Sequence, residues 1–266
     1  MKDILSEIVA HKKVEVARQK ARIPLSDLDE QLSQADIPFC SLREALVNSE
    51  TGIIAEFKRR SPSKGWINQS ADAGSVTKGY EAGGASALSV LTDERFFGGT
   101  LGDLRDAVQT VKIPVIRKEF IVDEYQLLEA KLSGASAILL IAAAITPQEC
   151  KRFTELAHLM HLDVLLELHD ERETDYITPL NTIIGINNRN LGSFVTDIQK
   201  SFKMINLLPR EAVLVSESGI SDAEIVKELR EAGYKGFLIG ENFMKADNPG
   251  ESLRNFIQEI KHSRKD

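Results

Sequence analysis

The sequence predicts an α/β protein, a closed (β/α)8 barrel with an N-terminal helical extension. Eight short apolar runs carry that reading, starting at Ile53, Ala87, Val115, Ala137, Val164, Ile183, Val213 and Phe237, 19 to 34 residues apart. Each ends in polar residues and is followed by a helical stretch. Near-continuous apolar runs alternating with helices mark parallel strands buried on both faces. Eight such units in 266 residues match a closed barrel in number and length. A doubly wound open sheet is the competing arrangement, but it usually has fewer strands, and its Gly-rich first turn is missing here. Nothing reads as a linker, so residues 1–266 are expected to form one domain, with 1–50 as the extension.

A helical stretch from Asp3 to about Arg22 opens the chain, within some 50 residues that a plain barrel does not need. They either close the barrel bottom or wall the mouth. Between later strands, Asp123-Glu124 opens a helix from Tyr125 to Leu132 that stops at Gly134. Thr146-Pro147-Gln148-Glu149 reads as a capped start with Pro at the first helical position. Ser221-Asp222-Ala223-Glu224 has the capping-box pattern, and Gly233 follows the last apolar position as a stop.

Composition excludes several classes. Apolar residues at 42% and charged residues at 27% suit a globular chain with one large core. The longest apolar run, Ala135 to Ile145, is broken by Ser136 and is shorter than the ~18–20 residues a membrane span needs. The start lacks a secretory apolar core, and Cys40 and Cys150 form no framework, so a cytoplasmic, reducing location is expected. With 33 basic against 40 acidic residues the net charge is −7, which argues against nucleic acid. An anionic substrate must then be held by a local cationic cluster.

In a barrel the chemistry lies at the carboxyl ends of the strands, and strand side chains alternate faces. Parity groups Glu56 with Lys58, Lys118 with Phe120, Glu167 with His169, and Asn187 with Arg189. Choosing the polar faces brings Glu56, Lys58, Lys118, Glu167, Asn187 and Arg189 to one mouth, while the fourth strand adds apolar Leu139 and Ile141. A structural ion-pair network is the plain alternative. Two lysines and two carboxylates from separate strand ends favour function, because unpaired buried charge is costly. Closely packed cations and desolvation are expected to lower a lysine pKa towards useful acid–base values. His169 is a weaker base candidate, expected at the solvent edge.

The last two strands add a second signal. Ser218-Gly219-Ile220-Ser221 and Ile239-Gly240-Glu241-Asn242 place Gly at strand-to-helix turns, where backbone N–H groups cradle phosphate in barrels. Ser61-Pro62-Ser63-Lys64-Gly65 reads as a polar loop able to cover a substrate. Phe96-Phe97-Gly98-Gly99 supplies either core packing or a substrate wall. His158 and His161 have no third ligand and read as surface residues. GxSxG, P-loop and GxGxxG motifs are absent, which removes serine hydrolase, NTPase and dinucleotide readings.

These segments together carry a family resemblance. Ile54-Ala55-Glu56-Phe57-Lys58-Arg59-Arg60-Ser61-Pro62-Ser63-Lys64-Gly65 resembles the signature of indole-3-glycerol-phosphate synthase, of tryptophan biosynthesis. So do Leu91-Thr92-Asp93 to Phe97-Gly98-Gly99, Arg117-Lys118-Glu119-Phe120-Ile121, Gly134 to Ile141, Gly185-Ile186-Asn187-Asn188-Arg189-Asn190-Leu191 and Ser216-Glu217-Ser218-Gly219-Ile220. The resemblance implies a (β/α)8 TIM barrel and a carboxy-lyase. Its reaction turns 1-(o-carboxyphenylamino)-1-deoxyribulose 5-phosphate into indole-3-glycerol phosphate, CO2 and water, without cofactor or metal. The implied partner is thus a small phosphorylated molecule, with no nucleic acid or membrane, and a monomer or weak homo-oligomer is expected.

Carried over by motif, Lys118 is the general acid of ring closure, and Glu167 assists proton transfer in dehydration. Glu56 and Asn187 orient the intermediate, and Glu217 supports the polar network. Lys58 meets the substrate's carboxylate or phosphate side and shares acid duty, with the assignment of each lysine to a step left open. Ser218, Gly219, Gly240 and the backbone of Glu241 bind phosphate. Ser61 and Arg189 line the anionic end, and Phe97, Phe120, Leu139, Leu191 and Leu238 hold the aromatic ring. Parity sets Glu217 and Ser218 on opposite faces, so a regular strand cannot point both inward; Ser218 is the favoured one. Glu119 stands where the family usually has Asp and is expected on the opposite face to Lys118. A phosphoribosylanthranilate isomerase would be expected to use a Cys/Asp pair, for which neither cysteine is placed. A decayed phosphosugar-binding barrel conflicts with the intact charged set.

Overall fold

The structure, a computed structural model, describes residues 4–190 and 192–262. Eight parallel strands close a barrel: Ile53–Phe57, Ala87–Leu91, Val115–Lys118, Ala137–Ile141, Asp163–Leu168, Ile183–Asn187, Val213–Glu217 and Gly236–Ile239. Each pairs with its neighbours in sequence, and the ring shuts where Ile54 aligns with Leu238 of the eighth strand. The observed strands begin within one residue of the predicted runs. No open edge remains, which suits strands of branched apolar residues.

Alternation sorts each strand between two cores. Ile54, Ile116, Leu139, Leu165, Val215 and Leu238 point inward and fill the barrel. Their neighbours Ile53, Phe57, Val90, Leu140 and Leu166 point outward and meet the helical layer. Two residues beyond Ile54, Ile116 and Leu165, the inward stripe turns charged, at Glu56, Lys118 and Glu167. The barrel floor is therefore apolar and its upper layer ionic.

The helix signals behave as their chemistry requires, with one exception. Tyr125–Leu132 ends before Gly134, at φ 81°. Thr146 and Glu149 complete a reciprocal capping box with Pro147 in the first turn. In the Ser221-Asp222-Ala223-Glu224 segment, before helix Ala223–Ala232, Asp222 rather than Ser221 is the cap, accepting the Ile225 N–H. Asp222 is the residue in position to reach that donor, and the Ser221 hydroxyl instead donates to Asp222 at 3.3 Å.

The N-terminal extension serves both ends of the barrel. Helix Leu42–Val47 buries Leu42 and Leu46 completely and sits under the strands. Helix Ile4–Arg22 instead lies at the mouth, burying Leu5, Ile8, Lys12 and Val16. Helix Leu25–Gln34 connects them and packs on Tyr125–Leu132. Among the described residues, no helix is long and apolar enough to cross a membrane.

Candidate active site

A cavity of about 470 Å³ opens at the carboxyl ends of the strands. Lys58 and Lys118 both face it, together with Glu56, Glu167 and Asn187. Lys118 Nζ lies 3.2 Å from Glu56 Oε2 and 3.0 Å from Glu217 Oε2. Lys58 Nζ lies 2.5 Å from Glu56 Oε1, so one carboxylate bridges both ammonium groups. Gly240 makes room for it, since a Cβ there would overlap Glu56 Oε1.

Burial opposes every charge in this cluster, and the pairs decide the outcome. Burial pushes the Glu56 carboxyl up, but Lys58 and Lys118 outweigh it and hold its pKa at about 2. Desolvation works against the Lys118 ammonium too, yet Glu217, Glu56 and Glu167 raise its pKa above the ordinary lysine value. The expectation of a lowered lysine pKa is thereby corrected for Lys118: its nearest neighbours are carboxylates, not a second cation. Glu167 is held down at about 2, against burial, chiefly by His169. Burial and the negative Glu167 push Glu217 up to about 8, despite Lys118.

His169 is nearly enclosed, with Nε2 3.1 Å from Glu167 Oε1, rather than at the solvent edge. The conflict between Glu217 and Ser218 dissolves in the backbone. The strand ends at Glu217, and Ser218 and Gly219 follow at φ 65° and 80°. That turn leaves Glu217 fully buried beneath the cavity while Ser218 lines it. A left-handed serine costs about 1–3 kcal/mol, a strain typical of sites that need a particular backbone. Gly185 gives Glu217 its space, because a Cβ there would overlap Glu217 Oε1.

Opposite the charged layer, Phe97 and Phe120 stack at 5.8 Å with their rings tilted by 35°. Leu139 and Leu238 continue this wall, and Ile4, Leu5 and Ile8 of the N-terminal helix complete it. Phe96 turns away, its ring edge-on to His11, so the aromatic pair divides between core and wall. Ser218, Gly219, Gly240 and Glu241 gather at a third side of the cavity. There Arg189 donates from Nη1 to Ser63 Oγ at 3.1 Å and lies 3.7 Å from Glu241 Oε2. Lys64 Nζ is 3.9 Å from Glu241 Oε1, so the loop after the first strand bridges to the far rim. Ser61 is buried in that loop and lines the cavity. Asn187 Oδ1 accepts the Arg189 N–H at 3.0 Å.

Leu191 lies outside the described residues. The other sequence-predicted site residues line the cavity except Glu217, which reaches it through Lys118, and the base candidate His169, which stands behind Glu167. Residues not anticipated include Ile4, Leu5 and Ile8, Phe194, Asn242 and Lys245. The first three were signalled by helical spacing of apolar residues; Phe194, at φ 60°, has no sequence signal.

Comparisons with known proteins agree in one direction. The family model for indole-3-glycerol phosphate synthase matches residues 5–256. The indole-3-glycerol phosphate synthase of Bacteroides thetaiotaomicron is 56% identical over 260 residues, 98% of this chain and 100% of that one. That of Burkholderia ambifaria is 43% identical, covering 95% of this chain and 98% of its own. Among solved structures, tryptophan synthase subunit alpha from Legionella pneumophila superposes with a TM-score of 0.63 at 13% identity, over 85% of this chain and all of that chain. That last likeness concerns the barrel alone. With the family model spanning nearly the whole chain and close relatives matching end to end, the chain belongs to the indole-3-glycerol phosphate synthase family.

Proposed function

We propose that this cavity performs the ring closure, decarboxylation and dehydration that yield indole-3-glycerol phosphate from 1-(o-carboxyphenylamino)-1-deoxyribulose 5-phosphate. One observation carries the proposal: the Lys118 ammonium, gripped by Glu56 and Glu217, shares its cavity with the aromatic wall and the paired glycine turns. The substrate's aromatic ring lies against Phe97, Phe120, Leu139 and Leu238, with Leu191 assigned to the same wall by its motif. Its phosphate meets the Ser218 hydroxyl and the backbone N–H groups of Gly219, Gly240 and Glu241, with Arg189 and Ser61 along the anionic end.

Lys118 Nζ donates a proton to the ribulose carbonyl oxygen as the ring carbon attacks, neutralising the charge that develops there. Loss of CO2 then restores the aromatic ring. In the dehydration Glu167 moves the proton, Lys58 stabilises the anionic side and shares acid duty, and Asn187 orients the intermediate. Glu56 and Glu217 hold both lysines in place. We also assign the chain, as one domain over residues 1–266, to the cytoplasm as a monomer or weak homo-oligomer. Its two free thiols support the compartment.

The test is Lys118→Met in a fluorescence assay for the indole product. Turnover should fall ~10²–10⁴-fold, the contribution of a general acid, while substrate still binds. Near-normal turnover removes Lys118 from the acid role. Isomerase activity without indole formation, or binding without turnover in the native chain, overturns the proposal as a whole.

A further inference from the structure

Lys12 lies on the N-terminal helix, outside the cavity, and is 1% exposed. Its Nζ stands 3.0 Å from Glu15 Oε1, 3.0 Å from Asp93 Oδ2 and 3.1 Å from Glu119 Oε1. Two of these carboxylates come from barrel loops and each has a second task. Asp93 Oδ1 accepts the Phe96 N–H at 2.7 Å, capping the short helix Glu94–Phe97 that carries Phe97. Glu119 Oε1 accepts the Phe120 N–H at 2.8 Å, and Glu119 Oε2 accepts the Thr92 hydroxyl at 2.7 Å.

We infer that Lys12 is a positioning residue for the aromatic slot, its buried ammonium pinning the two loops that present Phe97 and Phe120. The inference rests on the proposed role of those rings. Glu119 sits between Lys118 and Phe120, so fixing it outward fixes the backbone from which both neighbours project. Apolar side chains alone would dock the helix at lower desolvation cost, since a buried ion pair often stabilises no more than a hydrophobic replacement. What the charges add is defined geometry. The two loops do not depend on Lys12 equally. Glu119 keeps Arg117 Nη2 at 3.8 Å as a second cation. Asp93 Oδ2 is buried without a hydrogen-bond donor aligned on it and faces Lys12. Loss of Lys12 therefore displaces Phe97 before Phe120.

The experiment compares full-length Lys12→Met with the native chain, using two competitive probes. One is a substrate analogue with its ketone reduced to an alcohol, which keeps the aromatic ring; the other is inorganic phosphate. An ångström-scale shift of the slot should lower kcat/KM by about 100-fold. The inhibition constant of the ring-bearing probe should rise with it, while that of phosphate stays unchanged. Unchanged binding of the ring-bearing probe, or a parallel loss of both probes, overturns the inference. If the Met variant does not fold, Asp93→Asn keeps the acceptor for the Phe96 N–H and removes the charge paired with Lys12, and should show a smaller loss with the same selectivity. Phe97→Ala separates the two levels of argument. If it leaves the ring-bearing probe unaffected, the slot itself is misassigned; if it weakens that probe and Lys12→Met does not, only the role of Lys12 fails.

Discussion

Glu56→Gln tests how the charged layer is held together. The side chain is buried and joined to two ammonium groups, at 2.5 Å and 3.2 Å. Its pKa falls from 4.5 to about 2 on folding, a preference for the charged form worth about 3 kcal/mol. Because the folded value lies below the unfolded one, this stabilisation is complete above pH 4.5 and drains away as pH falls towards 2. Glutamine keeps the shape and removes the charge. Native and variant chains should thus differ by about 3 kcal/mol at pH 7, narrowing to about 1 kcal/mol at pH 3. Urea denaturation at a series of pH values measures the difference directly. Glu167, also held at about 2, titrates in both proteins and cancels. A stability gap that stays constant from pH 7 to pH 3 would refute the linkage.

Gly185→Ala places a methyl group on Glu217 Oε1. It should cost about 1–3 kcal/mol by overpacking and lower turnover by dislodging Glu217 from Lys118, readable as a melting shift together with kcat. Thr146→Ala removes one half of a capping box whose residues do not line the cavity. It should cost about 1 kcal/mol in urea denaturation and leave kcat and KM unchanged.

Much of this site was legible because barrel strands simplify the reading. Continuous branched runs declare strands, and parity then sends Glu56, Lys118, Glu167 and Asn187 to one mouth without knowledge of any contact. Parity stops being informative where the strand does. Ser218 points into the cavity through a left-handed residue, and no alternation rule anticipates that. The extension was ambiguous because an amphipathic helix reveals an apolar face but not its partner. The surface of Ile4, Leu5 and Ile8 suits the barrel bottom and the mouth equally well until the fold is closed. Glu119 and Lys12 were hidden for a related reason. A charged residue on an outward strand face, or on a helix, ordinarily meets water, and only the docking of the extension buries the two together.

The direction of the Lys118 shift changes how the acid role proposed for it is understood. A general acid is most efficient with a pKa near the working pH, and a raised lysine departs from that rule. The departure is tolerable when the proton acceptor changes basicity during the step. The ketone oxygen is a weak base before attack and an alkoxide after it, and a firmly protonated ammonium meets it as charge develops. The three surrounding carboxyls then keep Lys118 charged in a buried site. Glu56 bridges Lys58 and Lys118, and Glu217 and Glu167 flank Lys118, so each ammonium in the layer has a carboxyl beside it. A charge-paired layer leaves recognition of the proposed anionic substrate to local contacts, even in a chain of net charge −7. Electrostatic preorganisation of that kind requires no reorientation of the site when the oxyanion forms.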